Sequence, residues 1–162
     1  VKAANSNAKI IQNMTGTTPA AWNDPVKGTE LTKAQISQGA DVVYAAAGGT
    51  GVGVLQAAAD ADILSIGVDA NQNYMHPGQV LTSMLKRVDL AVYNAFSEGE
   101  SLTTGFNVMG LAEDGVGYAL DEHNESLVSA KMISALEAEK AKIVSGEIKV
   151  HDYMSDNTCP AK

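Results

Sequence analysis

Gly48, Gly49 and Gly51 are the first residues in this sequence whose types and spacing suggest chemistry. They lie in Asp41-Val-Val-Tyr-Ala-Ala-Ala-Gly-Gly-Thr-Gly-Val-Gly-Val54. Glycine has no Cβ, so a turn built on it can bend sharply and bring its backbone close to a ligand or to another segment. The familiar phosphate-binding forms of such a turn do not fit. A phosphate loop ends in Gly-Lys-Ser/Thr, which does not follow here, and Gly49-Thr-Gly51-Val-Gly53 lacks the third glycine of the dinucleotide fingerprint. His76, His123 and His151 are scattered, with no partner at metal-ligand spacing. There is no Gly-x-Ser-x-Gly nucleophile elbow. Glu137, Glu139, Lys140 and Lys142 read as a solvated helix face. No set of these residues announces an enzyme, a cofactor or a metal site, and the glycine turn fits a ligand or a plain strand-to-helix turn equally well.

The glycines need elements to hold them. Val42 to Ala46 is a continuous apolar run, which suits a strand covered on both faces, and Val52 to Ala59 reads as the following helix. A ligand at the carboxyl end of such a strand would sit where open α/β sheets bind theirs. Upstream, Ala8 to Met14 reads as a strand and the residues from Thr15 as a loop. Asp24-Pro25 then starts a helix, with aspartate as N-cap and proline at the first helical position, that runs to about Gln38 and stops at Gly39. Ile63 to Val68 is the next strand, ending at Asp69, and Val80 to Leu85 another. Val88, Ala91, Val92, Ala95 and Phe96 form one apolar helix face. Phe106 to Leu111 and Val116 to Leu120 are short extended pieces. Ser126 to Ser145 is an amphipathic helix stopped by Gly146, and Ile148 to Tyr153 a last strand. The alternation of strand and helix predicts an α/β fold with a parallel sheet flanked by helices.

Length and charge bound the possibilities. The 162 residues suffice for one domain with a core, or for one lobe of something larger. A formal net charge of −8 argues against nucleic acid and against adhesion to anionic membranes. No apolar run approaches the roughly 20 residues that span a bilayer. Cys159 is the only cysteine, so neither an internal disulfide nor a multi-cysteine zinc site is available.

Several stretches share a further pattern, in order: Trp22-Asn-Asp-Pro, Gly39 to Gly51, Ile66-Gly-Val-Asp-Ala-Asn-Gln72, Val80 to Asp89, Gly115-Val-Gly-Tyr118, and Ser145-Gly-Glu-Ile-Lys-Val150. Together they resemble the basic membrane protein family of ABC-transporter substrate-binding proteins, the purine-nucleoside-receptor type. The resemblance covers nearly the whole chain. It implies a type I periplasmic-binding-protein fold of two lobes, about twice this length. Residues 1–162 are then expected to form a single α/β lobe, the second, with hinge-crossing segments around 80–120. An N-terminal signal or lipoprotein segment would lie upstream.

The resemblance also implies a site. Trp22 would stack on a base, where the family often has phenylalanine. The Gly48-Gly49 turn would bring backbone groups to the ribose. Asp69 would accept hydrogen bonds from ribose hydroxyls and Lys86 would donate to a ribose oxygen. Asp24 belongs to the same set, with a helix cap as its simpler role. The implied function is delivery of a nucleoside-like ligand to an ABC permease in the membrane, from a periplasmic or extracytoplasmic position, by hinge closure and without chemistry. A sugar or other polyhydroxylated ligand is the alternative within binding proteins. A nucleoside-acting enzyme with Asp69 as general base is the alternative outside them. Without its first lobe the chain is expected to self-associate.

Overall fold

The computed structural model describes residues 1–158, so Cys159 lies outside the described residues. The chain divides into two compact units: Val1–Lys86 with Tyr118–Leu127, and Arg87–Gly117 with Val128 onward.

The first unit is built on parallel strands. Asp24 caps α1 (Pro25–Ser37), its Oδ1 accepting the Lys27 N–H at 2.9 Å, and Pro25 occupies the first turn. Gly39, at φ +92°, turns the chain out of the helix. β1 (Val42–Tyr44), α2 (Gly51–Asp60), β2 (Leu64–Asp69) and β3 (Val80–Lys86) follow, with β1–β2 and β2–β3 both parallel. β4 (Val116–Tyr118), which enters the first unit only at Tyr118, is last in the sheet order β1-β2-β3-β4. Val43 and Ala45 of the first strand segment pack with Val54 and Ala58 of α2, and Ala40 and Ile63 border this core. α1 lies against α2 at glycine contacts. A Cβ built on Gly53 would overlap the Pro25 carbonyl, and one on Gly28 would overlap the Thr50 carbonyl. These two glycines are the points of closest helix approach.

Two expected strands are not formed. Residues 8–14 take no strand pairing, and Ile10 and Met14 stay exposed. A strand exists only through a partner. Here a cleft of about 1310 Å³ is lined by both this segment and the β1 residues Val42 and Tyr44. β1 is consequently an edge strand covered on one face only: Val43 is buried, while Val42 and Tyr44 are exposed. The expected strand over 148–153 is not formed: residues 148–152 lie in neither helix nor strand, and Tyr153 opens the short helix α5 (Tyr153–Asp156), capped by Asp152 Oδ1 accepting the Met154 N–H.

The second unit contains α3 (Val88–Glu98) and α4 (Ala130–Val144). α4 starts later than its periodicity suggests. Ser129 supplies the cap, accepting the Met132 N–H, and residues 121–127 are held in turns by Asp121 and Asn124. Neither helix buries a residue. The expected apolar face of α3 is present but uncovered, with Val88, Val92 and Phe96 all exposed, as is Tyr93.

Candidate ligand-binding site

The first unit brings the six candidate residues to the carboxyl ends of β1, β2 and β3, or to the segment seated on them. β1 leads into the glycine turn, and the Ala45 N–H still donates to the Ile66 carbonyl of β2 at 3.2 Å. Beyond it Gly48 adopts φ +56°, a left-handed conformation that favours glycine. Space imposes the same choice. A Cβ on Gly48 would meet the Trp22 carbonyl oxygen at 3.2 Å and the indole Cε3 at 3.4 Å, and one on Gly49 would meet the Trp22 carbonyl oxygen at 3.2 Å. The glycine turn and the Trp22 segment are therefore pressed together, backbone on backbone.

Trp22 closes a short 3-10 turn, Pro19–Trp22, and keeps 60% of its surface exposed. An indole in that state is not a core residue. It presents an apolar face to whatever enters. Thr50 binds this segment from below. Its Oγ1 donates to the Ala21 carbonyl at 2.7 Å and accepts the Asp24 N–H at 2.7 Å.

Asp69 ends β2 at φ +68°, and Lys86 ends β3 beside it, Nζ to Oδ1 2.9 Å. Both side chains are about half exposed, 45% and 58% respectively. The turn after Asp69 is fixed by a polar network. Gln72 Oε1 accepts the Val68 N–H, Ser83 Oγ accepts the Gln72 N–H and donates to Asn73 Oδ1, and Asn71 and Asn73 both donate to Asp121 Oδ2. Ser83, Asn73 and Asn124 are fully buried. Every buried polar side-chain atom among the described residues has a partner, as such networks require. The Asn71 side-chain hydrogen bond, with the His123 N–H and Asn73, holds the Asp121 carboxyl below the usual aspartate range, and partial burial opposes this.

Asp121, Glu122 and His123 offer ligand atoms within 4.8 Å of one another, the grouping among the described residues that comes near a metal set. Asp121 accepts from Asn71, Asn73 and the His123 N–H, which fix the turn that holds this cluster. Sequence reasoning overlooked Thr50, Ser83, Asn73 and Asp121. Thr50 stood in view, the one hydroxyl inside the glycine turn. The others are joined over separations of 10 and 48 residues, which no local pattern reveals.

Comparison with known proteins decides the family. The sequence profile of the Bmp family, described as ABC transporter substrate-binding protein PnrA-like, matches residues 1–153. The chain belongs to the Bmp family. Basic membrane protein D of Borreliella burgdorferi is 35% identical over 155 residues, covering 92% of this chain and 44% of that protein. A lipoprotein of Pyrococcus horikoshii is 34% identical over 125 residues, covering 72% of this chain and 30% of that protein. The crystal structure of an ABC transporter system solute-binding protein from Aeropyrum pernix K1 superposes with a TM-score of 0.71 at 29% identity, over 80% of this chain and 45% of that one. The chain thus spans about half the length of the first of these Bmp relatives, 44%. The α/β fold with a parallel sheet flanked by helices is the fold of these relatives.

Proposed function

We propose that this Bmp chain supplies one wall of the ligand cleft of an ABC importer's solute-binding protein, and that the ligand is a nucleoside. Trp22 stacks on the base. The Gly48–Gly49 backbone approaches the ribose. Asp69 accepts from ribose hydroxyls and Lys86 donates to a ribose oxygen. Asp24 starts α1 directly behind Trp22 and fixes where that residue leaves the backbone. The observation that carries the reading is an exposed aromatic face seated on the glycine turn after β1, together with a half-exposed carboxylate–ammonium pair at the ends of β2 and β3. A flat apolar face suits a base, and a carboxylate beside an ammonium suits vicinal hydroxyls.

The opposite wall is supplied by sequence outside this chain, in keeping with the coverage of its relatives. Chain passages at 86/87, 117/118 and 127/128, where the compact units exchange, serve as the hinge segments. Ligand bridging the two walls stabilises the closed state, which a membrane permease then reads. The relatives are substrate-binding proteins, and nothing in this reading makes or breaks a bond. An extracytoplasmic, lipid-anchored position accords with the lipoprotein relative.

Calorimetric titration of the full-length receptor with adenosine, free ribose and a hexose tests this. The reading expects adenosine to bind far more tightly than ribose and to be recovered unchanged. Equal affinities for ribose and adenosine would replace the nucleoside by a sugar, and conversion of adenosine to product would make the protein an enzyme.

A further inference from the structure

We propose that Thr50 is the positioning residue for Trp22. Its side-chain oxygen holds the backbone on both sides of the indole and so sets the plane of the stacking face. This inference rests on the reading of Trp22 as the base-stacking residue.

The geometry separates Thr50 from an ordinary helix cap. Thr50 stands immediately before α2, where a threonine hydroxyl commonly accepts a backbone N–H of the first turn. Here it makes no cap bond and its own backbone is helical, φ −59°, ψ −28°. The hydroxyl turns the other way. It donates to the carbonyl of Ala21, one residue before Trp22, and accepts the N–H of Asp24, two residues after it, each at 2.7 Å. Thr50 is fully buried, with 0% of its surface exposed, while the residue it brackets is 60% exposed. A half-free indole has few contacts of its own to fix its direction. Its backbone must be fixed instead, and a buried hydroxyl using donor and acceptor together does that from a single atom. Gly48 and Gly49 complete the seat by admitting the Trp22 carbonyl. The Asp69–Lys86 pair is held by another device, the network through Ser83, Asn73 and Asp121. Loosening Thr50 should therefore disturb the aromatic contact and leave the hydroxyl contacts in place.

Trp22 is the only tryptophan of this chain, so its emission reports the effect directly. In residues 1–162, Thr50→Val keeps the shape and removes the hydroxyl, and Thr50→Ser keeps the hydroxyl and removes the methyl. Thr50→Ala substitutes for valine if that variant does not fold by circular dichroism. Valine should lower the steady-state anisotropy of the indole and increase its quenching by acrylamide, and serine should match the parent. An indole equally held in parent and hydroxyl-free variant, or loosened as much by serine as by valine, overturns the proposal. In the full-length receptor, Thr50→Val should weaken adenosine binding about tenfold, the scale of one or two neutral hydrogen bonds, and change ribose binding less than about twofold. A loosened indole with adenosine and ribose weakened alike would uphold the Thr50 clamp and overturn base stacking by Trp22.

Discussion

Lys86 Nζ lies 2.9 Å from Asp69 Oδ1, across the ends of two adjacent parallel strands. Both side chains remain about half exposed, so the pair contributes little to folding, about 0–1 kcal/mol for exposed ion pairs. It is better placed to exchange its internal contact for ligand hydroxyls. Asp69 also sits at φ +68°, a region that asparagine tolerates as readily as aspartate. Asp69→Asn should therefore leave the thermal midpoint nearly unchanged and weaken nucleoside binding by about 1–2 kcal/mol, the charge-assisted part of the hydrogen bonds. A 2′,3′-dideoxynucleoside should bind parent and variant alike. Calorimetry in which the dideoxy ligand suffers as much as the parent nucleoside would remove Asp69 from the ribose.

Trp22 makes a complementary prediction. Its exposure of 60% means that truncation opens no core cavity, and stability should move by no more than about 0.5 kcal/mol. Nucleoside binding by the full-length receptor should fall by about 1–3 kcal/mol in Trp22→Ala, the scale of base–aromatic stacking. Ribose should bind both proteins equally. A variant that loses ribose and nucleoside together, or that unfolds, would make Trp22 a structural residue.

Gly53 tests how the site is supported. Gly53 is in the first turn of α2, and within a helix glycine to alanine ordinarily stabilises, by up to about 1 kcal/mol in the interior. At Gly53 the added methyl would overlap the Pro25 carbonyl and approach Thr29 Oγ1, which itself donates to the Gly53 carbonyl. Gly53→Ala should therefore destabilise by about 1–3 kcal/mol, as overpacking does. It should also displace the start of α1, and Trp22 with it. Gly117→Ala, where a Cβ meets nothing within 4 Å, serves as the control in urea unfolding. Stabilisation at position 53 would show that α1 and α2 do not approach as described.

The Asp121 network predicts a pH dependence. Its carboxyl titrates below the usual value in the folded state, chiefly because of the Asn71 hydrogen bond. A depressed folded pKa means that the unfolded chain binds more protons. The contribution is then complete above the unfolded value, about 3.9, and is lost as pH falls through the lower folded value. Urea midpoints between pH 5 and pH 2.5 should fall less steeply in Asp121→Asn than in the parent. Parallel slopes would mean that other carboxylates govern the acid limb.

The legible and illegible parts of this protein divide by the range of the interactions. α1 announced itself through Asp24, Pro25 and Gly39, because caps and stops are local. The glycine turn was visible too, but its glycines proved to serve two purposes. Gly48 and Gly49 admit the Trp22 backbone, whereas Gly53 admits α1. Sequence alone left ligand and segment as equal reasons for a glycine, and only the packing distinguishes them. The segments 8–14 and 148–153 have strand-like composition but no strand partner, and composition cannot supply one. Ser83 and Asp121 were invisible because each acts on residues far along the chain, and Thr50, though in view inside the glycine turn, has partners 26 and 29 residues away. Trp22, Asp69 and Lys86 were reached through family resemblance and not through any local pattern.

The second unit makes the last prediction. α3 and α4 bury no residue, and α3 leaves Phe96 83% and Tyr93 68% exposed, with Val88 and Val92 half exposed. The apolar stripe at Val88, Val92 and Phe96 has helical spacing, so it is a built face and not scattered residues. A contiguous apolar face left in water is a docking surface or a route to association. In residues 1–162 alone, the cover available to it is a second copy of the chain, by docking or exchange of the element. Sedimentation at micromolar concentration should show reversible association that strengthens with concentration. Phe96→Glu, which places a charge on the most exposed residue of the stripe, should return the chain to monomer without lowering its helix content. Nucleosides should bind this chain only in the millimolar range, since one wall of a cleft leaves its hydrogen bonds open to water, where each is worth little net. A clean monomer that binds adenosine below micromolar would show that the chain needs no second wall, and the division of the cleft proposed here would be wrong.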